Sequence, residues 1–472
     1  MNLEDTFVKK RILVIISFSF SIRYIYRTGF LRKLRTFANP VIGITWNQED
    51  LIKELLAEGF EVHIIPESIK SSNYNNVRKK IDFWFNHFRL KTPSKKIQDT
   101  WLDSLSKNNN SLLKKARKLY NIAKFYLPTT IQKLKVQEQQ LLLSDTNYND
   151  LSMLVDYLDI ETVFTVTPFH TQEDVLLQVC KNKGKQMITS ILSFDNITKR
   201  GWLPVEYDLY MVWNKYNQAE AKRSYRTSNK ELPVTIVGAA QFDFYYSKEC
   251  LVPRDEWVNQ VGLISDDREI ILYAGGPQSL FPNEPQYLKH IDEAIRNGDI
   301  KGNPIVLFRC HPVDVIQRWK DVIGNSPNIF FDSSWTGRQN LLHANISDKD
   351  IAKLCSTLAY TDVHINLCST MTVDGSVFHK PQIGPAYDEV SPQNASLLLK
   401  MYYQEHFVPI LNTKGLSLAK SKTELIDLIN EALYNPDSMT KASKRIVDEI
   451  ISYSDGKSTD RLIEAVRKKL LT

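Results

Sequence analysis

Two series of short apolar segments, each alternating with helical segments, constrain the fold of this chain more than any other feature. The first series runs from residues 11–17 to residues 235–237, and the second runs from residues 269–274 to residues 381–383. Strands that alternate with helices favour a parallel sheet that helices cover on both faces. A chain of 472 residues is also too long for one ordinary hydrophobic core. The sequence therefore predicts an α/β protein with two such sheets.

The predicted domain boundary lies in residues 244–267, which mix charges with a proline and show no clear strand. We therefore predict an N-terminal domain of residues 1–245, a second domain of residues 246–450 and a last helix within residues 451–472. Residues 70–145 have a helical pattern and interrupt the first alternating series. We interpret them as a helical insertion in the N-terminal domain.

The longest apolar run, residues 12–22, is about half as long as a membrane-spanning helix requires. Basic residues precede it but no small-residue cleavage site follows, so we interpret it as a buried first strand and not as a signal peptide. The 5 cysteines show no metal-ligand spacing and suit a reducing compartment. The expected location is the cytoplasm, with peripheral contact at the inner face of the membrane as an open alternative.

A local excess of positive charge lies in residues 70–140, which contain sixteen Lys and Arg residues against four acidic residues. Aromatic residues such as Trp84, Phe88 and Trp101 are interleaved with these charges. Three interpretations stay open: a solvated helical insertion, a surface for an anionic membrane or a lipid-diphosphate acceptor, and a nucleic-acid surface. Nucleic acid is the least favoured of the three, because no recognition motif accompanies the charge.

Two strand ends in the second series carry the side chains expected of a phosphate site. A buried strand at residues 304–308 leads to Arg309 and His311, whose side chains share one side of an extended chain. A second strand at residues 364–367 leads to three hydroxyl residues where a helix begins: Ser369, Thr370 and Thr372. Free N–H groups at a helix start attract anions, although plain helix capping also explains hydroxyls there. Together the two ends predict a diphosphate pocket at one edge of the sheet.

Gly275 and Gly276 directly follow the first strand of the second series. Because they lack Cβ atoms, their backbone can approach a ligand closely, and an ordinary strand-to-helix turn is the alternative interpretation. No Lys-Ser or Lys-Thr pair follows, so the segment is not a Walker loop.

Several motifs in a fixed order resemble one group of enzymes. Three motifs resemble the donor domain of GT-B glycosyltransferases: Arg-x-His-Pro at 309–312, Ser-Thr-Met-Thr and an acid at 369–374, and Lys-Pro at 380–381. Three further motifs resemble bacterial surface-polysaccharide transferases and CDP-glycerol glycerophosphotransferases: LSFDNITKRG at 192–201, MVWN at 211–214 and VGAAQFD at 237–243. The resemblance covers residues 164–388, and the residues before it are similar only to a generic nucleotide-sugar transferase half.

This resemblance implies two Rossmann-like doubly wound domains that face each other across a cleft, with a last helix that packs back on the N-terminal domain. The second domain would bind a nucleotide-sugar donor, and the N-terminal domain would bind a surface glycan or lipid-linked oligosaccharide. The implied reaction is sugar transfer with inversion. Glycerophosphate transfer from CDP-glycerol and a non-catalytic binding protein are the alternatives. Epimerisation of UDP-N-acetylglucosamine is disfavoured, because no cluster of acids and bases for one sugar ring is apparent.

The same resemblance implies roles for individual side chains. It assigns contacts with the donor phosphates to seven residues: Gly275, Gly276, Arg309, His311, Ser369, Thr370 and Thr372. His311 would also stabilise charge on the leaving diphosphate. Asp374 stands where the family usually has Glu and would hold ribose hydroxyls, although an acid in a first helical turn is favourable on electrostatic grounds alone.

An inverting transferase needs a base that takes the proton of the acceptor hydroxyl. Asp195 and His170 are the candidates, because both follow strands of the N-terminal domain. Asp195 lies in the segment that resembles the family best, and an Asx turn is its alternative role. His170 precedes Glu173 and Asp174, which would raise its basicity, and a surface helix cap is its alternative role.

We expect catalysis without a metal ion or a cofactor. The one clear Asp-x-Asp sequence, at residues 348–350, lies at a predicted helix start, where capping explains it. Hard cations need several oxygen ligands, and the sequence shows no such cluster. Arg309, His311 and a helix dipole would take the place of the cation.

Overall fold

The computed structural model describes residues 9–66, 71–106, 116, 119–120, 122–226, 231–263, 267–324, 326–332 and 344–471. Within these ranges the strands form two sheets, and neighbouring strands are parallel throughout. The first sheet contains β1 (Arg11–Ile16), β2 (Asn39–Ile44), β3 (Glu61–Ile64), β4 (Thr162–Thr165), β5 (Gln186–Ser190), β6 (Leu209–Val212) and β7 (Val234–Ile236). The second sheet contains β8 (Ile270–Ala274), β9 (Ile305–Arg309), β10 (Ile329–Asp332), β11 (Val363–Asn366), β12 (Gln382–Pro385) and β13 (Leu416–Ala419).

Both sheets have the strand order of doubly wound folds. The first is ordered β3-β2-β1-β4-β5-β6-β7, and the second is ordered β10-β9-β8-β11-β12-β13. The order reverses between β1 and β4 in the first sheet and between β8 and β11 in the second. Sheets of this kind bind their ligands outside the carboxyl ends of the strands, at the point of reversal.

Helices connect the strands and cover the sheets. The helices whose bounds the structure describes before β8 are α1 (Ser19–Ile22), α2 (Phe30–Leu34), α3 (Glu49–Ala57), α4 (Ser72–Trp84), α5 (Pro93–Leu105), α6 (Pro128–Leu143), α7 (Tyr148–Tyr157), α8 (Asp174–Asn182), α9 (Asn196–Lys199), α10 (Lys215–Tyr225) and α11 (Arg254–Val261). Those after β8 are α12 (Pro285–Asn297), α13 (Lys320–Ile323), α14 (Asp348–Tyr360), α15 (Met371–Val377), α16 (Ala395–Met401), α17 (Val408–Asn412), α18 (Lys422–Tyr434), α19 (Asp437–Ile450) and α20 (Ser458–Leu471). Short π-helical turns extend α1 through Arg23–Arg27 and α4 through Phe85–Arg89.

The central strand β1 shows why the first sheet is buried on both faces. Its sequence, RILVII, is almost wholly apolar, as is typical of parallel strands that are covered on two sides. Alternate side chains point to opposite faces, so Ile12, Val14 and Ile16 pack in one hydrophobic cluster and Leu13 and Ile15 pack in another. The interpretation of the apolar run at 12–22 as a buried first strand is confirmed for its first half, whereas residues 19–22 form helix α1.

The last helix, α20, packs on the first sheet although it follows the second sheet in the sequence. Leu462, Ile463 and Val466 lie in the same hydrophobic cluster as Ile12 and Val14 of β1. The chain therefore returns to the N-terminal half, as the resemblance implied. The domain bounds given above stay a prediction.

The helical insertion connects the two halves of the molecule. Helices α4 and α6 pack against each other beside the first sheet. Helix α5 carries Trp101, which is 2% exposed and lies in a hydrophobic cluster with Ile271 and Tyr273 of the second sheet. The indole Nε1 of Trp101 donates to the carbonyl oxygen of Leu280 at 2.7 Å. Part of the predicted insertion, including residues 107–115, lies outside the described residues.

Candidate active site

A cavity of about 430 Å³ lies between the carboxyl ends of the two sheets. On one side it is lined by residues that follow β1, β4 and β5, among them Arg23, His170 and Asp195. On the other side it is lined by residues at the ends of β9 and β11, among them Arg309 and His311. The structure thus brings most of the predicted donor and acceptor residues to one cavity, at the sheet edges where ligands of such folds bind.

Arg309 ends β9 and is held by a buried carboxylate. Its Nη1 lies 2.5 Å from Oδ2 of Asp332, which ends the neighbouring strand β10. Lys353 pairs with the other oxygen of Asp332 at 2.9 Å. Two cations, Arg309 and Lys353, therefore contact one carboxylate. A guanidinium fixed in this way is preorganised to bind a phosphate oxygen.

His311 is oriented by the turn that follows β9. Its Nδ1 accepts the backbone N–H of Val313 at 3.2 Å, so a neutral ring carries its proton on Nε2. Burial lowers the pKa of His311, and Asp314 only partly opposes this effect. The ring is therefore neutral near pH 7 and contributes a hydrogen-bond donor to the cavity, not the positive charge that would replace a cation.

The start of α15 differs from the free anion site that the sequence predicted. The N–H of Met371 donates to the hydroxyl of Ser369 at 3.2 Å, and the N–H of Thr372 donates to the Ser369 carbonyl at 3.2 Å. The N–H groups of Val373 and Asp374 donate to the carbonyl of Thr370 at 2.9 and 3.3 Å. The prediction of free donors there is wrong, because this tight turn bonds its own N–H groups.

The three hydroxyl residues around this turn have different surroundings. Ser369 and Thr370 line the cavity. Thr372 is fully buried and donates to Oδ1 of Asn366 at 2.8 Å, so it ties α15 to β11 instead of facing the cavity. Cys368, between strand and helix, has a φ of +43°. A non-glycine residue in this left-handed region is strained, and such strain clusters at functional turns.

Asp374 makes a contact that crosses from one half of the molecule to the other. Its Oδ1 accepts from the hydroxyl of Tyr245 at 2.5 Å and lies 3.7 Å from Nη2 of Arg23. Arg23 and Asp374 are only 8% and 6% exposed. Burial raises the pKa of Asp374, against the opposing effects of Arg23 and Tyr245. Asp374 lines the cavity with a carboxylate that is already engaged, so its predicted contact with a ribose stays a prediction.

Arg23 is the principal cavity residue that the sequence analysis missed. Its guanidinium donates to the Gln241 carbonyl and the Tyr245 hydroxyl at 3.1 and 3.0 Å and lies 4.9 Å from the ring of Phe244. Its buried Nε has no hydrogen-bond partner in the described part of the chain. The available signal was a cation directly after the first apolar run. The π-helical turn that begins there is a feature common at functional sites.

Asp195 is a buried carboxylate with several partners. It pairs with Lys199 at 2.8 Å and accepts from Ser193 at 2.6 Å and from Asn196 at 3.2 Å. Burial alone would raise the pKa of Asp195, but the charge of Lys199 and the hydrogen bonds hold that pKa well below its ordinary range. A carboxylate with so low a pKa is a weak proton acceptor near neutral pH.

His170 lines the cavity on the loop between β4 and α8. Its ring centroid lies 4.5 Å from that of Phe18, which follows β1. The loop is anchored by Glu173, which is fully buried and accepts from the hydroxyl of Thr165 at 2.5 Å and from that of Thr167. Burial raises the pKa of Glu173 to about 7. Whether this carboxyl group raises the basicity of His170 stays a prediction.

Gly275 and Gly276 do not line the cavity. The N–H of Gly275 donates to the carbonyl of Arg309 at 2.9 Å, and the N–H of Gly276 donates to the carboxylate of Glu284 at 2.9 Å. A Cβ atom on Gly276 would lie 2.7 Å from the ring of Phe281, so close aromatic packing explains this glycine. The contact of both glycines with donor phosphates stays a prediction.

Metal-ligand candidates do not cluster in the part of the chain that the structure describes. There, no group of three or more His, Cys, Asp or Glu side chains is placed to hold a metal ion. Asp350 instead forms a capping box with Ser347 at the start of α14, as capping predicted. Independence from metal ions stays a prediction.

The family of CDP-glycerol:poly(glycerophosphate) glycerophosphotransferases matches residues 103–468 of the chain. The chain belongs to this family. It is therefore a transferase of the glycerophosphotransferase and glycosyltransferase type, and the resemblance given above is confirmed. The family name specifies glycerophosphate transfer from CDP-glycerol, which was the first alternative predicted from the sequence.

Solved structures show the fold of the chain. A putative UDP-N-acetylglucosamine 2-epimerase from Listeria monocytogenes aligns with a TM-score of 0.56 at 11% identity, over 98% of this chain and 97% of its own. The UDP-N-acetylglucosamine 2-epimerase from Neisseria meningitidis, bound to UDP-N-acetylglucosamine, aligns with a TM-score of 0.52 at 10% identity, over 97% of this chain and 100% of its own. No curated protein matches the sequence. The predicted pair of Rossmann-like domains is confirmed.

Replacement of Asp195 by Asn should lower the free energy of unfolding by about 1–3 kcal/mol at pH 7, because it weakens charge-assisted hydrogen bonds. The depressed pKa makes this stabilisation complete above the unfolded pKa of about 3.9 and removes it as the pH falls through the folded pKa. Urea denaturation should therefore give a constant difference from wild type between pH 8 and pH 5, and a smaller difference in more acidic solution.

Asp156→Asn is the matched control, since Asp156 pairs with Lys183 at 2.7 Å but its side chain is 64% exposed. Its effect should stay below about 1 kcal/mol. A difference for Asp195→Asn that already shrinks between pH 8 and pH 5 would contradict the depressed pKa.

Proposed function

We propose that the protein transfers glycerol phosphate from CDP-glycerol to a hydroxyl of a surface polymer or lipid-linked acceptor. Membership of a family that matches residues 103–468 supports this chemistry. The observation that carries the proposal is the single cavity at the carboxyl ends of both sheets, which Arg309 and His311 line together with His170. A phosphate-binding wall and a candidate proton acceptor therefore share one site.

The donor phosphates lie, in this proposal, against the wall formed by the ends of β9 and β11. Arg309 supplies positive charge, and neutral His311 donates from Nε2. The hydroxyl groups of Ser369 and Thr370 add further donors. Groups that are fixed before the ligand arrives stabilise a developing charge without reorganisation, and this is the usual source of large rate effects.

The acceptor oxygen attacks the phosphorus that carries glycerol, and the proton of the acceptor hydroxyl passes to His170. The bond from that phosphorus to the bridging oxygen breaks, and CMP leaves with the electron pair. Arg309 and His311 stabilise the charge on the departing CMP. Asp195 keeps a positioning role, because its depressed pKa makes it a weak base.

Sugar transfer with inversion is the second candidate and was the first expectation from the sequence. The segments at 192–201, 211–214 and 237–243, which resemble surface-polysaccharide transferases, support it. In that reaction the acceptor attacks the anomeric carbon of a nucleotide sugar, and the whole nucleoside diphosphate leaves. The same cavity walls serve both reactions, so the identity of the donor separates them.

Cytidine nucleotides should stabilise the protein in a thermal-shift panel of CMP, CDP, CDP-glycerol, UDP, GDP and dTDP. A ligand at 100 times its Kd adds about 2.7 kcal/mol to the free energy of unfolding. The stabilisation should persist in EDTA and should be lost in His311→Ala, but not in His63→Ala on the edge strand β3. Release of CMP from CDP-glycerol supports glycerophosphate transfer. Release of a nucleoside diphosphate from a nucleotide sugar supports the second candidate, and no response to any nucleotide contradicts both.

Replacement of His170 by Asn should lower kcat by about 10²–10⁴-fold, because it removes the proposed base. It should also remove the acidic limb of the pH–rate profile. Asp195→Asn should keep that limb between pH 5 and pH 8, because the depressed pKa of Asp195 lies below this window. The reverse pattern, with the limb kept in His170→Asn and lost in Asp195→Asn, would show that Asp195 is the base.

We further propose that exposed side chains of the helical insertion contact an anionic membrane. Tyr126 and Leu127 are 74% and 59% exposed, and Tyr120 is 60% exposed with Nζ of Lys124 lying 4.2 Å from its ring centroid. Exposed aromatic and basic side chains suit the interface of an anionic bilayer. In the ranges that the structure describes, no helix is long and apolar enough to cross a membrane.

The double substitution Tyr126→Ser with Leu127→Ser should reduce co-sedimentation with phosphatidylglycerol vesicles, since it removes the apolar contact. Tyr157→Ser, at a 76% exposed position outside the insertion, should leave co-sedimentation unchanged. Failure of the wild-type protein to sediment with anionic vesicles would contradict the proposed contact.

A further inference from the structure

A second cavity, also of about 430 Å³, lies in the N-terminal half. It is bounded by the end of α4 and its π-helical turn, by α6, by α10 and by residues 202–206. Five aromatic residues form much of its lining: Trp84, Phe85, Trp202, Tyr210 and Tyr225. None of its lining residues belongs to the cavity between the sheets.

The two indole rings meet at a steep angle, whereas the rings of Phe85 and Tyr225 are stacked at 19°. The ring centroids of Trp84 and Trp202 lie 6.5 Å apart at 77°, and those of Phe85 and Trp202 lie 5.9 Å apart at 64°. Nζ of Lys135 lies 5.1 Å from the ring centroid of Trp84 and 4.7 Å from that of Trp202. An ammonium group is thus held over two indole rings at the cavity.

Trp202 is fixed in place by a buried network behind it. Its Nε1 donates to both carboxylate oxygens of Glu138 at 3.0 and 2.9 Å, and its carbonyl accepts from Arg78 at 2.9 Å. Arg78 and Glu138 are 4% and 3% exposed and lie 3.3 Å apart. Because the indole N–H is already bonded, the ring offers its apolar surface, and not a polar donor, to whatever enters the cavity.

Positive charge predominates among the cavity's charged residues. Arg89, Lys135 and Arg226 line it, with Glu206 as the acidic member. Partial desolvation of the otherwise exposed Lys135 lowers its pKa, and the like charge of Arg89 lowers it further against the opposing effects of Glu138 and Glu206. Two cations that disfavour each other would both be stabilised by an anion placed between them.

A short segment connects this cavity to the cleft between the sheets. Arg200 lines the cleft cavity, and Trp202 lines the second cavity. Two steps of extended chain span about 7 Å at most, so the two walls are close together. Gly201, between them, has a φ of +83°, and a Cβ atom there would lie 2.7 Å from the ring of Phe85. Glycine is therefore required at the point where the segment turns from one cavity to the other.

We propose that the second cavity is a subsite for the acceptor chain, in which the indole faces hold a polyol or sugar unit and the cations hold its phosphodiester group. The acceptor identity rests on the proposed function. Aromatic faces pack on the C–H surface of such a unit, and Lys and Arg bind phosphate. A chain that occupies this subsite extends past Arg200 to the cleft, where its terminal hydroxyl reacts.

Lys135→Glu tests the subsite, because Lys135 is exposed and its replacement leaves the buried network intact. Lys133→Glu is the matched control, since Lys133 is exposed on the same helix but does not line the cavity. Binding of a synthetic poly(glycerol phosphate) oligomer to the donor-free full chain is measured by tryptophan fluorescence. Lys135→Glu should weaken this binding about tenfold, which corresponds to about 1.4 kcal/mol, and Lys133→Glu should not weaken it. Trp84→Ala should also weaken it, since it removes one indole face.

Acceptor length provides a second readout. With the oligomer as acceptor, Lys135→Glu should raise KM and leave kcat unchanged, whereas KM for single glycerol phosphate and for the donor should not change. Equal oligomer binding by wild type and Lys135→Glu would overturn the subsite, and so would equally tight binding of a single-stranded oligonucleotide. Oligomer binding that depends on Lys135 in a protein that transfers nothing from any donor would keep the subsite and reject the proposed function.

Discussion

The contact between Arg23 and Asp374 is the interaction on which the geometry of the cleft depends. It joins a residue after β1 to a residue in α15, and Tyr245 donates to the same carboxylate. Because both charges are buried, loss of either partner would leave the other without its opposite charge, with only neutral hydrogen-bond partners, at a cost of about 3–5 kcal/mol. The pair therefore holds the carboxyl edges of the two sheets together, and the cavity exists between edges whose separation is fixed.

Ion pairs also distinguish two kinds of side chain in the cavity: those that hold a charge and those that can exchange a proton. Arg309 has Asp332 as its partner, and Asp195 has Lys199, so these charges persist across the neutral pH range. Burial keeps His311 neutral. The depressed pKa of Asp195 is the physical reason for proposing His170, and not the carboxylate that the motif suggested, as the proton acceptor.

The sequence was sufficient to predict the sheets, because apolar strands such as β1 alternate with helices, and this pattern is typical of a parallel sheet with two covered faces. It also placed Arg309 and His311 correctly at a strand end of the cavity. It failed where the outcome depended on hydrogen-bond partners. Free N–H groups at α15 were expected, but Ser369 and Thr370 accept them. Residue spacing does not show which acceptor each N–H group bonds, since the acceptors lie within the turn itself.

The basic composition of the helical insertion does not by itself predict where the insertion packs. Trp101 in α5 is buried in the core of the second sheet, whereas α4 and α6 pack beside the first. If the helices of the insertion did not contact the second sheet, the orientation of their basic surface would not be fixed. Because α5 packs in the core of the second sheet, the position of the cavity lined by Trp84 is fixed relative to the cleft. An acceptor chain long enough to reach both therefore meets a surface of fixed geometry, which lowers the conformational entropy lost when it binds.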